Sequence, residues 1–104
     1  MSGAILENFA VAEILKSYRN CGIEPAIYYY RDRDTKEIDV ILESDGELHP
    51  IEIKKTATPA SQLTRVFKVI EKSPLMRGTG AVLCTTDKLS AFDSGNLIVP
   101  ISLV

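Results

Sequence analysis

Along the first half of the chain the spacing of apolar residues switches from a helical period to a strand period. From Ser2 or Gly3 to about Arg19, the residues Ile5, Leu6, Phe9, Val11, Ala12, Ile14, Leu15 and Tyr18 recur at three- and four-residue intervals. That spacing predicts a helix with a wide apolar face. Ser2 can cap its start, and Gly22 stands just past its end. Glu7 falls in the second turn, flanked by Leu6 and Phe9, where a carboxylate is solvated or paired. Pro25 stops any helix, and Ala26 to Tyr30 reads as a strand with three tyrosines in a row. These predict one or two buried rings with hydroxyls at a wet edge. Arg31-Asp32-Arg33-Asp34 is a charged, solvated turn.

The segment Glu37–Lys55 carries the strongest pattern. Ile38, Val40 and Leu42 alternate with Asp39, Ile41 and Glu43, and Ile51 and Ile53 alternate with Glu52 and Lys54. Between them Asp45-Gly46 is the pair favoured in a two-residue hairpin loop. With Asp45 and Gly46 in the loop, Ser44 faces Glu47, Asp39 faces Glu52 and Glu37 faces Lys54. A four-residue loop, Ser44 to Glu47, keeps the same register. The period of two puts Asp39, Glu52 and Lys54 on one face, and Ile38, Val40, Leu42, Ile51 and Ile53 on the other. Two carboxylates directly across a hairpin repel. Two arrangements offset that repulsion: a divalent cation held between Asp39 and Glu52 with Lys54 beside it, or a surface ladder of ion pairs through Lys54, Glu37 and Arg31 or Arg33.

After the connector Thr56–Pro59, Ser61 or Thr58 can cap a second helix from about Ala60 to Lys72, with Leu63, Val66, Phe67 and Ile70 as its apolar face. Arg65, Lys68 and Lys72 then form one basic stripe, either a solubilising face or a nucleic-acid contact surface. Pro74 to Gly80 reads as a loop, Gly80 to Thr85 as a buried strand, Asp87 to Ser94 as irregular or a helical turn, and Leu97 to Val99 as a final strand. Ile101 to Val104 packs after Pro100. A strand–helix–strand crossover places the Val82 strand parallel to the Ile51 strand. The expected order is helix, three strands, helix, strand, strand.

A chain of 104 residues makes one domain, 1–104, with a single core. Its net charge of −2 supplies no overall positive field, so any nucleic-acid contact must come from a local patch. Cys21 and Cys84 lack metal-ligand spacing and read as free, partly buried thiols in a reducing cytoplasm. The N-terminus does not read as a signal peptide, and no apolar run is long enough to span a membrane. His49 is the only histidine, which argues against a histidine metal site or a Ser-His-Asp triad. There is no glycine-rich phosphate loop, so no nucleotide is expected on this chain alone. The closing apolar run NLIVPISLV suggests a domain cut from a longer protein.

Glu7 on a first helix, Asp39 on a strand and Glu52-Ile53-Lys54 on the next, followed by a helix and a strand, resemble the PD-(D/E)XK nuclease-like superfamily. More closely, LENFAVAEILK, YYYRDRDTKEIDVIL, PIEIKK and VPISLV resemble a domain of unknown function that follows the AAA-type ATPase domain in many archaeal and bacterial predicted ATPases. The resemblance covers nearly the whole chain. It implies an α/β, restriction-endonuclease-like core: a mixed central sheet flanked by helices, in the order helix, three strands, helix, strand or strands. It also implies a one- or two-metal phosphodiesterase site. Asp39 and Glu52 would hold Mg²⁺ or Mn²⁺, Glu7 would complete or tune the metal shell, and Lys54 would orient the attacking water. The Ile53 carbonyl is a further ligand candidate, and Gln62 matches a supporting polar position. Ile38 stands where the superfamily motif has proline, and the tyrosine that usually follows the glutamine is absent.

Two functions are therefore expected in parallel. One is Mg²⁺-dependent DNA cleavage by Asp39, Glu52 and Lys54, with Lys55, Arg65, Lys68 and Lys72 on the nucleic acid. The other is a non-catalytic accessory module that uses the nuclease-like fold for nucleic-acid or protein contact beside the ATPase domain of the same chain. The intact residue set supports the first. The net charge of −2 supports the second, because duplex binding rests on phosphate neutralisation.

Overall fold

The structure, a computed structural model, describes residues 3–24, 26–34 and 36–103. Helix α1 spans Gly3–Asn20. Its end is set by Gly22, whose φ of 74° lies in the left-handed region that a glycine enters without steric cost. The Gly22 N–H donates to Arg19 O at 3.0 Å and the Ile23 N–H to Tyr18 O at 3.0 Å, the paired bonds of a Schellman cap. Ser2 and Pro25, expected to punctuate this region, lie outside the described residues.

Strands β1 (Ala26–Arg31), β2 (Glu37–Ser44) and β3 (Glu47–Ile53) form an antiparallel meander. The β2–β3 loop is the two-residue Asp45-Gly46 turn, with φ of 53° and 78°. The ladder runs from Ser44 opposite Glu47 to Val40 opposite Ile51, in the expected register. The next helix, Ser61–Lys72, is followed by β4 (Met76–Arg77), β5 (Gly80–Cys84), β6 (Ser90–Asp93) and β7 (Asn96–Pro100), and a 3₁₀ turn covers Ile101–Leu103. Among the described residues the sheet has seven strands in the order β1-β2-β3-β5-β7-β6, with β4 also beside β3. β3, β5 and β7 are parallel, as the crossover required for β5, and β6 is antiparallel to β7. The protein is thus a mixed α/β domain.

Both faces of β2 and β3 are covered. On one, Leu6, Ala10 and Ile14 of α1 pack with Val40, Ile51, Ile53 and Leu83. On the other, Phe67 and Ile70 of the second helix pack with Ile38, Ile41 and Leu48. Val40 and Ile41 are successive strand residues in different clusters, so the two helices lie on opposite faces. α1 buries one four-residue line, and Ile5 and Phe9, one position off it, stay exposed at 57% and 47%. The wide apolar face expected for this helix is therefore only partly used.

Several expectations are corrected. The second helix is a 3₁₀ helix that starts after Ala60 without a side-chain cap, so neither Ser61 nor Thr58 caps it. Its period of three buries Phe67 and Ile70 together and breaks the basic stripe. Arg65 and Lys68 now share a row with Glu71, and Lys72 joins the row of Leu63, Val66 and Val69. The Pro74–Gly80 loop contains β4, because Met76 and Arg77 pair alongside Glu47 and Leu48. Asp87–Ser94 contains β6, which hairpins back on β7 around Asp93, whose Oδ1 accepts the Gly95 N–H at 2.8 Å. Tyr28 and Tyr29 are exposed on edge strand β1, and of the three rings only Tyr30 is half-buried. Cys84 is fully buried whereas Cys21 is exposed, and both are free.

Candidate functional site

Opposite Tyr28–Tyr30, strand β2 has one residue too many: Tyr28 pairs with Ile41, but Tyr30 pairs with Ile38. This bulge at Asp39–Val40 resets the alternation of the strand. Ile38, expected beside Val40, instead joins Ile41 under the second helix. Asp39 is re-aimed as well and lines a cleft of ≈ 210 Å³ with Glu7 of α1, Glu37, and Tyr29, Tyr30 and Arg31 of β1.

The β2–β3 ladder opens at the same place. Beyond Val40–Ile51 the Ile53 N–H donates to Asp39 Oδ2 at 2.8 Å, so a carboxylate accepts the bond where a strand carbonyl otherwise would. The Lys54 N–H turns to Leu83 O at 2.9 Å and continues the pairing of β3 with β5. Sequence spacing thus brings Asp39 close enough to act on Glu52, and the bulge gives it reach to both Glu7 and β3.

Glu52 is a buried carboxyl, 7% exposed, between Ile51 and Ile53 of the α1 core. Its Oε1 has no hydrogen-bond partner. Burial pushes its pKa up to about 8, and the charge of Asp39 adds to the rise. The Asp39 backbone N–H and the Lys54 ammonium pull the other way without offsetting it. Glu7 is also raised, first by burial and then by the charges of Asp39 and Glu37, against Lys54. Lys54, with an exposed side chain, therefore acts electrostatically on both Glu7 and Glu52. Part of the ion-pair ladder also forms, since Arg31 holds Glu37 through Nη2 at 2.6 Å and Nε at 2.7 Å.

Asp39 thus stands beside Glu7 in the cleft and acts on Glu52, and Lys54 acts on both glutamates; Glu52 does not itself line the cleft. The four do not form a finished cage: among the described residues no three His, Cys, Asp or Glu side chains converge at metal-ligating geometry. As donors Asp39 and Glu52 fit a hard cation, since both offer carboxylate oxygens and one of these, Glu52 Oε1, is buried and unpartnered. The nucleic-acid candidates lie elsewhere. Gln62, Arg65, Lys68 and Lys72 are exposed on the second helix, Lys55 is exposed just after β3, and none of them lines the carboxylate cleft. Arg65 and Lys68 instead border a second cleft, with Arg77 and Asn96, that sequence reading missed. Its signal in the sequence is Arg77-Gly78-Thr79-Gly80, inside the Pro74–Gly80 stretch that reads as a loop.

No curated protein and no solved structure matches the chain. A family model does match over residues 2–104, described as Domain of unknown function (DUF4143), and the chain belongs to that family.

Proposed function

We propose that the domain is a divalent-cation-dependent phosphodiesterase module of the PD-(D/E)XK type, in which Asp39 and Glu52 hold Mg²⁺ or Mn²⁺ and Lys54 serves the reaction. The observation that carries this reading is the Glu52 carboxyl. It is buried at 7% exposure, has an unpartnered Oε1, and stands against a second carboxylate that raises its pKa. Ionising a buried carboxyl with one unpartnered oxygen beside a second carboxylate costs stability, and a bound cation offsets that cost by pairing both charges.

Bound there, the cation supplies Lewis-acid stabilisation of a phosphate oxygen and lowers the pKa of a ligated water. The chain's own residues do the rest. Asp39 is braced by the Ile53 N–H, which orients its carboxylate. Glu7 adds negative charge from α1. Lys54 orients the water and offsets charge that develops on the phosphate. DNA is the substrate class this reading assigns, with the ATPase domain of a longer parent chain as partner.

Calorimetric titration with Mg²⁺ and with Mn²⁺ tests the site. Saturable binding by the wild type, lost in Asp39→Ala and in Glu52→Ala, is the expected result. A wild type that binds neither ion, or variants that bind as well as the wild type, would sink the proposal. Cleavage of single- and double-stranded DNA, abolished by Lys54→Ala, tests catalysis separately.

A second reading keeps the nuclease-like fold but not the reaction: an accessory module for nucleic-acid or protein contact. It is favoured by the absence of a three-ligand cluster among the described residues and by basic side chains that stand away from the carboxylate cleft. Cation binding without cleavage selects it.

A further inference from the structure

The second cleft, ≈ 280 Å³, lies between the 3₁₀ helix Ser61–Lys72 and the β6–β7 hairpin and shares no element with the carboxylate cleft. Arg65 and Lys68 reach it from the helix and Arg77 from β4. Arg77 is held in place by the fold. Its guanidinium lies 5.6 Å above the Phe67 ring, and its Nη2 donates to Oδ1 of the buried Asn96. Gly80 makes the space for that pair, since a Cβ there would stand 2.8 Å from both Arg77 Nη2 and Asn96 Oδ1. An arginine positioned by an aromatic face and a neutral amide keeps its remaining N–H donors for a ligand, while the Asp93 carboxylate of the same lining acts on its charge.

The other two cations are also available. Among the described residues neither Arg65 nor Lys68 makes an ion pair. Of the two acids in the lining, Asp93 is committed to its own turn, where it accepts the Gly95 N–H at 2.8 Å and the Asn96 amide at 3.2 Å. Glu71 is exposed on the helix. Three cations against two acids leave the cleft positive in a chain whose net charge is −2.

We propose that this cleft binds a phosphate group, with Arg77 as the preorganised anchor and Arg65 and Lys68 closing on it from the helix. A terminal phosphate offers three acceptor oxygens and more than one charge to three cationic donors, and a backbone phosphodiester offers two oxygens and one charge, repeated along the strand. The group comes either from a nucleic-acid backbone or from a small free phosphate compound. The site requires neither Asp39 nor Glu52, so it stands or falls apart from the function proposed above.

The test is an amide-shift NMR titration of the whole chain at low salt, with inorganic pyrophosphate and separately with a short single-stranded oligonucleotide. Saturable shifts confined to residues 64–77 and 93–96 are expected with at least one probe, and which probe acts identifies the source of the phosphate. Arg77→Ala removes a brace between β4 and β7 and can unfold the chain. The decisive variant is therefore Arg65→Ala/Lys68→Ala, at exposed positions. It should keep the wild-type spectrum and weaken binding by about tenfold or more, as expected for the loss of two charge-assisted contacts. No saturable shift with either probe, shifts that map elsewhere, or unchanged affinity in the double variant overturns the proposal.

Discussion

Replacing Glu52 with glutamine separates the cost of burying its charge from the rest of the fold. In the folded chain burial and the neighbouring Asp39 raise this carboxyl from 4.5 to about 8. Glu52 therefore holds a proton in the native state over a range where the unfolded chain has released it. Its contribution to stability is fully present below about 4.5 and is lost as pH rises toward 8. At 1.36 kcal/mol per pH unit, the loss across that window is up to about 5 kcal/mol. Glutamine keeps the shape and cannot ionise. Urea unfolding of the wild type at a series of pH values from 4 to 9 should give a midpoint that falls through this window, while Glu52→Gln stays nearly flat. At pH 8 the variant should be the more stable of the two by a few kcal/mol. Saturating Mg²⁺ should restore the wild type at pH 8, by about 2.7 kcal/mol at a hundred times the dissociation constant, and leave the variant unchanged. Parallel pH profiles in the two proteins, or a wild type that gains stability between pH 5 and pH 8, would refute the reasoning.

Other substitutions probe the frame around the site. Phe67→Ala empties the largest fully buried side chain and removes the ring beneath Arg77, so thermal or urea unfolding should show a loss of about 3–5 kcal/mol. Gly78→Ala drives a Cβ into the His49 ring, which is anchored to Thr79 O at 2.9 Å; a loss of about 1–3 kcal/mol in the same assay is expected. Asp39→Ala strips the Ile53 N–H of its acceptor and removes the charge beside Glu52. It should cost about 1–3 kcal/mol near neutral pH and move the Glu52 titration down, as followed by carboxyl carbon NMR. Arg31→Ala breaks an exposed pair with Glu37 and should change stability by less than about 1 kcal/mol.

The candidate site was legible where it depends on local periodicity. Asp45-Gly46 specifies a turn in which both residues take positive φ, and that turn sets the register from Ser44–Glu47 to Val40–Ile51. Once the register is set, Asp39 and Glu52 must meet. The bulge was not legible, because it arises from the mismatch between β1 and β2 and leaves no mark in the β2 pattern itself. The short strands β4 and β6 were missed for a similar reason. Each pairs only because a longer strand already lies beside it, β3 in one case and β7 in the other.

The sequence by itself determined the hairpin, the parallel placement of β5, the glycine-ended first helix and the membership of the domain in its family. These follow from short-range steric and hydrophobic periodicities that act within a few residues. The tertiary structure alone decided which side of the sheet Ile38 and Asp39 face. It also decided that the helix after the hairpin winds with a period of three, and that Arg77 rather than Lys72 joins Arg65 and Lys68. Those outcomes depend on packing between elements far apart in the chain: a bulge forced by a neighbouring strand, a helix fitted through Phe67 and Ile70 onto β2 and β3, and a glycine that opens space for a guanidinium.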